Sequence, residues 1–218
     1  MSEITFSKLF WLFMFGNVLG VIVEGVWCKL RHGKWETHTV AIWGPFNIVY
    51  GIGIPVFYVG SILFEGFQWL SKFAIFALLG SFVEYLCGIV IRIGLRMKAW
   101  DYSKHFLNIQ GLISLRMVLL WGVVGSGFHL LLFEPLKKLL FLMNGVLFDM
   151  VRVGLTVFMA VNLSLTAACI IRWANRHKGK LPSNRLTKWI DRTYPDSKMQ
   201  KKFFYWSFID DDIAVNRR

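Results

Sequence analysis

The chain has 218 residues, 56% of them hydrophobic and 17% charged, with a formal net charge of +12. A soluble domain carries about 25% charged residues, and the 20 Phe and 10 Trp add more apolar surface than one core of this size can bury, so a soluble globular domain is excluded. The positive balance fits basic loops on one side of a membrane, and no recognition motif turns it toward nucleic acid.

A membrane-crossing helix needs about 20 mostly apolar residues. Five segments meet that measure: 6–27, 43–64, 73–95, 115–133 and 146–173. They predict an all-α membrane protein with a transmembrane domain over 1–174 and a basic, aromatic tail over 175–218. The first segment is too long for a signal core, and no small-x-small site follows it, so it reads as a retained span. It carries Gly16 and Gly20 at the small-xxx-small spacing of packed helices, and Glu24 near its end.

The second segment opens with Gly44-Pro45 and continues through Tyr50-Gly51, Gly53 and Pro55. Pro removes a backbone donor and Gly permits close approach. Carbonyls freed at membrane depth are tolerated where they face protein or a wet cavity. This pattern therefore reads either as a broken helix lining a site or as ordinary packing. Between Val40 and Ile91 the only charged residues are Glu65, Lys72 and Glu84. Glu84 falls within the third segment. An ionisable group in a span costs a few kcal/mol or more in hydrocarbon unless it is paired, protonated or hydrated. Glu24 and Glu84 at similar depth suit a bound cation, a shared proton or a basic ligand. The competing reading is a cap, or a bridge to Lys29, Arg92 or Arg96.

The loop after the third segment concentrates hydrogen-bonding side chains: Trp100, Asp101, Tyr102 and Ser103, then Asn108, Gln110 and Gly111. It can fold over a cavity and supply donors, although Asp-Tyr-Ser is also common turn chemistry. Further on, His129 lies near the far end of the fourth segment. The stretch 139–145 reads as an interfacial turn leading into the long fifth segment. Asp149 and Arg152, three apart, form a local ion pair by default. In the tail, Leu186, Trp189 and Ile190 recur at helical spacing. The 201–208 stretch, KKFFYWSF, places two cations beside aromatics, as a headgroup layer favours, and makes anionic lipid the expected partner. A flexible basic tail is the alternative. Asp210, Asp211 and Asp212 are expected to stay solvated.

Loop charge sets the orientation. Lys29, Arg31 and Lys34 share a side with Arg92, Arg96, Lys98, Lys104, Arg116 and the tail. The opposite side has only Lys8, Lys72, Lys137 and Lys138. Positive short loops stay in the cytoplasm, so the N-terminus is expected outside and the C-terminus inside. Cys28, Cys87 and Cys169 have no metal or redox spacing. His32, His38 and His105 lie in loops without ligand spacing. No cofactor or metal is expected.

Taken together, Val21-Ile22-Val23-Glu24, Gly44-Pro45 with Tyr50-Gly51, Glu84-Tyr85-Leu86, Trp100-Asp101-Tyr102-Ser103 and Asn108 with Gly111 match in order and spacing a bacterial membrane family. From about Asn17 to Trp121 the chain resembles the ABC-transporter type IV (CmpB-like) permeases. Asp149 looks like an aspartate of that family's last span. The resemblance implies transport in the cell membrane, with Glu24, Gly44, Pro45, Tyr50, Gly51, Glu84, Trp100, Asp101, Tyr102, Asn108 and Gly111 as the substrate-binding residues. The family tends to have Arg-Gly where this chain has Thr39-Val40, a second proline at Ile48, and an arginine at Leu112. Two of these departures remove positive charge, which weakens an anionic-ligand role; Lys104, His105 or Arg116 are the candidates to compensate. The chain has no G-x-x-x-x-G-K-[ST] phosphate loop, so an ABC mechanism implies a separate ATPase, and five spans imply a homo-oligomer or partner. Two other functions fit the residues. One is a membrane enzyme acting on a lipid or small amphiphile, with the carboxylates, Asp101, Tyr102 and Asn108 as acid/base groups. The other is a non-catalytic sensor or assembly factor acting through the tail.

Overall fold

A computed structural model describes residues 4–36 and 39–209; His38 and Asp210, Asp211 and Asp212 lie outside them. Helix α1, Phe6–His32, starts at Thr5, whose hydroxyl accepts from the Lys8 N–H at 3.3 Å. It ends at Gly33, whose φ of +73° lets its N–H turn back to the Lys29 carbonyl. Helix α2 is Ile48–Leu63 and α3 is Trp69–Ile89, prolonged by a π-helical turn over Val90–Gly94. Helix α4, Leu115–Gly127, passes through a second π-helical turn, Phe128–Leu132, into α5, Phe133–Leu142. Helix α6, Val146–His177, is the longest, at 32 residues. The tail forms α7, Arg185–Thr193, and α8, Asp196–Lys202.

Four of the helical runs are long and apolar enough to cross a membrane by length and composition: Phe6–His32, Trp69–Gly94, Leu115–Leu142 and Val146–His177. The expected second span is shorter than anticipated. Gly44 and Pro45 do not open a helix. Asn47 caps α2 instead, its side chain accepting from the Val49 N–H. At 1.5 Å per residue, the 16 residues of α2 reach only about 24 Å, and a non-helical segment precedes them. Within that segment the Val40 N–H reaches the Phe46 carbonyl at 2.9 Å, and side chains of α6 take further backbone groups. Asn162 accepts from the Trp43 N–H at 3.1 Å and donates to the Trp43 carbonyl at 2.9 Å, and the Thr166 hydroxyl accepts from the Ile42 N–H at 2.9 Å. Irregular backbone buried against protein in this way is compatible with an apolar surround. The 139–145 stretch also differs from expectation. Helix α5 continues the fourth helical run to Leu142, and the break falls at Gly145, whose φ is +121°.

The main core joins α1, α2, α3, α4 and α6 through Leu12, Phe57, Tyr58, Phe76, Trp121, Phe128 and Met159. Glycines set the closest approaches. Gly16 leaves no room for a Cβ against the Tyr50 carbonyl, and Gly20 none against the Tyr50 ring. Their spacing thus serves packing, as small-xxx-small pairs do.

A second core lies at the end of α6. It contains Met97, Cys169, Trp173, Ile190, Tyr194, Met199, Phe203 and Trp206. The tail is therefore folded onto α6. Arg172, 6% exposed, donates to Asp191 at 2.9 Å, and Arg176 reaches both Asp191 and Asp196. The Arg172 guanidinium holds the Asp191 carboxyl below the usual carboxylate range. Phe203 and Trp206 of the KKFFYWSF stretch point into this core, while Phe204 stays exposed. Burial inside the protein explains the first two aromatics without lipid. Strand β1, Met97–Lys98, pairs antiparallel with β2, Ser207–Phe208, which ties the tail to the loop after α3.

Candidate functional site

Glu84 sits on α3 and is 5% exposed. Each of its carboxylate oxygens accepts one hydrogen bond: Oε1 from the Tyr102 hydroxyl at 3.0 Å, Oε2 from the Trp121 indole N–H at 2.8 Å. Both donors are neutral, and among the described residues Glu84 forms no ion pair. The expected bridge to Arg92 or Arg96 is absent here. Arg92 instead donates to the Gln110 carbonyl.

Glu24, half-buried on α1, belongs to the same cluster. It accepts from the Asn47 amide at 3.3 Å and from the Tyr50 hydroxyl. Tyr50 lies within electrostatic reach of both carboxylates, and its ring centroid is 6.0 Å from that of Trp121. Tyr102 in turn feels Glu84, Tyr50 and Glu24. Burial, and then the Glu84 carboxylate, push the Tyr102 phenol well above its ordinary range. It stays protonated, and so stays a donor, at any physiological pH. Two carboxylates, two phenols, an amide and an indole thus meet where α1, α2, α3 and α4 converge.

The loop that delivers Tyr102 is built by its neighbours. Asp101 accepts from Lys98 at 2.7 Å and from the Ser103 N–H at 2.9 Å. The Tyr102 N–H reaches the Gly111 carbonyl at 2.8 Å. Asn108 donates to the Ser103 and His105 carbonyls and accepts from the Gly111 N–H at 3.1 Å. Gly111 has a φ of +69°, and a Cβ there would come 2.8 Å from Asp101 Oδ1; only glycine fits without strain. Trp100 lies over Gly88 and donates to the Leu112 carbonyl at 2.9 Å. Asp101, Asn108, Gly111 and Trp100 are therefore scaffold, and Tyr102 is the group they present.

Asp101 makes that scaffold sensitive to acid. Burial works to raise its carboxyl, but the Lys98 and Ser103 hydrogen bonds outweigh it and bring it down to about 2 from 3.8. A depressed carboxylate stabilises the fold above its ordinary value and loses that contribution as pH falls through the folded one. Thermal unfolding of the detergent-solubilised protein should therefore weaken between about pH 4 and pH 2. Asp101→Asn should flatten that limb relative to the parent while lowering stability near neutrality.

Gly44 and Pro45 lie elsewhere. They line a surface cavity with Trp35, Glu36, Thr39, Lys201, Lys202 and Phe204. Gly51 lies between the two regions in role: its Cα faces Asn17, with no space for a Cβ. At the opposite end of the bundle, His129 meets Lys72 at 3.0 Å, and Asp149 pairs with Arg152 at 2.9 Å as expected from their spacing. The His105 ring is tilted against that of Tyr102, with centroids 5.5 Å apart. No group of three or more His, Cys, Asp or Glu able to hold a metal occurs among the described residues.

A family model described as "Putative ABC-transporter type IV" matches residues 11–167. The chain belongs to this family. The match covers most of the chain and reaches beyond Trp121 to include Asp149, Asn162 and Thr166. No curated protein and no solved structure matches. Within this ABC-transporter type IV chain the departures have structural sense. Leu112, one of the departures expected from the sequence, is 4% exposed and packs on Gly88. Thr39 is buried, and its carbonyl accepts from the Tyr205 hydroxyl at 2.9 Å.

Asn47 and Trp121 complete the carboxylate cluster, yet the sequence did not single them out. A tryptophan in an apolar run looks like packing, and Asn47 looks like a helix cap, which it also is. Among ten tryptophans, nothing in the spacing marks Trp121 as the one whose N–H meets a carboxylate.

Proposed function

We propose that this protein is a permease-type membrane subunit whose cargo or coupling ion is a cation, proton included, bound at Glu84. The carrying observation is a buried carboxylate held by two neutral donors and matched by no cationic side chain. A charged group at membrane depth without a counter-charge is retained for use rather than stability. Glu24 brings a second carboxylate to the same cluster, and Leu112 supplies no positive charge, so an anionic cargo is disfavoured. Family membership supports transport. Without a phosphate-loop motif in this chain, ATP-driven movement needs a separate ATPase subunit, and a second copy of the chain is the other candidate partner.

The proposed setting is a bacterial cell membrane, with the N-terminus outside and the tail in the cytoplasm. The basic residues of the 28–34 and 92–104 segments and of the tail support it. The cluster then opens toward the cytoplasmic half, and α2 with its non-helical lead-in counts as the fifth crossing.

Glu84→Gln tests the reading, because it preserves the hydrogen bonds. Its amide oxygen can accept from Trp121 while its amide nitrogen donates to the Tyr102 oxygen. Unfolding temperature should change little. In a thermal-shift series of alkali, alkaline-earth and organic ammonium cations, the parent should be stabilised by at least one cation, and Glu84→Gln should lose that shift by at least tenfold in apparent affinity. Glu24→Gln should weaken it less. A parent indifferent to every cation and to pH, or a Glu84→Gln protein as responsive as the parent, would sink the proposal.

A further inference from the structure

The cavity lined by Trp35, Glu36, Thr39, Gly44, Pro45, Lys201, Lys202 and Phe204 has a volume of about 470 Å³ and does not depend on the carboxylate cluster. Its walls come from the residues after α1, from the non-helical lead-in to α2 and from the end of α8. The Tyr205 hydroxyl bond to the Thr39 carbonyl holds two of these walls together.

Three observations define its chemistry. Lys202 is half-buried, and burial alone lowers its ammonium below the ordinary lysine value. Among the described residues it has no carboxylate partner. Lys201 stands exposed beside it, so among the described residues the cavity carries two lysines against the one carboxylate of Glu36. Trp35 and Phe204 are about half exposed, at 54% and 49%. They form aromatic edges on a site otherwise polar. The same end of α1 bears Lys29 and Arg31, the latter 5.9 Å over the Trp27 ring. Exposed aromatics interleaved with cations at a helix end are the composition of the headgroup layer.

We infer that this cavity binds the headgroup of an anionic phospholipid whose phosphodiester is followed by hydroxyl groups. The charge balance selects it. Two ammoniums and one carboxylate leave a single positive charge, which one phosphodiester neutralises. A zwitterionic headgroup, phosphoethanolamine or phosphocholine, would leave that charge unmatched, and the hydroxyls suit the Glu36 carboxylate as acceptor. Lys202 and Lys201 take the phosphate oxygens, Glu36 accepts from headgroup hydroxyls, and the acyl chains leave past Trp35 and Phe204 into the bilayer. The bound lipid then bridges α1, the lead-in to α2 and the tail.

The test is thermal unfolding of the full chain in nonionic detergent with short-chain phosphatidylglycerol, phosphatidylethanolamine, phosphatidylcholine or inorganic phosphate. Phosphatidylglycerol should stabilise the parent. Lys202→Gln and Lys201→Gln should each weaken its apparent affinity about fivefold, the worth of one lysine at a membrane surface. Lys188→Gln, an exposed tail change outside the cavity, should not. If Lys202→Gln lowers the lipid-free unfolding temperature, the exposed Lys201→Gln carries the comparison. Equal stabilisation by phosphatidylethanolamine or phosphatidylcholine overturns the charge assignment. Equal stabilisation by inorganic phosphate overturns the lipid assignment. Unchanged affinity in both lysine variants overturns the site.

Discussion

Trp121→Ala should destabilise the protein by about 3–5 kcal/mol, the cost of truncating a buried aromatic. Trp121 is 6% exposed and lies against Gly80, where a Cβ would come within 2.7 Å of its ring. Its ring also meets Tyr50 and Phe57, each at a centroid distance of 6.0 Å. Removing the indole opens a void at the junction of α2, α3 and α4 and takes one donor from Glu84. Trp121→Phe separates the two effects. It keeps most of the packing and leaves Glu84 Oε2 without its 2.8 Å partner, at a cost of about 1–3 kcal/mol. Unfolding of both variants in detergent, by heat or denaturant, measures the pair. A Phe variant as stable as the parent would show that Glu84 does not rely on the indole.

The second large effect is expected at Asn162. Asn162→Leu keeps volume but removes both hydrogen bonds to the Trp43 peptide, and orphans an N–H and a carbonyl. At about 1–3 kcal/mol for each, stability should fall by several kcal/mol. Because the loss is local, the segment before α2 should also become a protease target before the helices unfold. Thr166→Val, which removes only the acceptor for the Ile42 N–H, should produce a milder form of the same result. Mass mapping of the first cleavage sites checks this. Cleavage confined to other loops in Asn162→Leu would show that the lead-in is held by something else.

These two residues also mark what the sequence conceals. The membrane class, the helices and the two glutamates were legible because they rest on composition and on charge in apolar runs. Tyr102 was legible only as one member of a polar loop. The loop's internal bonds, not its composition, separate the presented group from the scaffold of Asp101, Asn108 and Gly111. Asn162 and Thr166 were invisible because a lone amide or hydroxyl in a span is compatible with almost any partner, here one about 120 residues away. The start of the second helix, Ile48 rather than Trp43, was misplaced for a related reason. Hydropathy measures a backbone's surroundings but not its hydrogen bonds, so an apolar stretch satisfied by side chains of α6 looks the same as a helix. Phe203 and Trp206 fall within a stretch read toward lipid but are buried against α6, because a local pattern cannot tell a membrane surface from the flank of another helix.

The pairing of β1 with β2 has a consequence for how the molecule is made. Met97 and Lys98 leave the ribosome more than a hundred residues before Phe208 and Ser207, their partners. The turn carrying Tyr102 therefore waits for its neighbouring strand while the segments after it are made. The long apolar helices, all earlier in the chain, can be inserted before this stitch is drawn, since closing so long a loop must wait for β2. A copy cut before β2 lacks that stitch, and so differs from the longer chain beside the loop that covers its buried carboxylate.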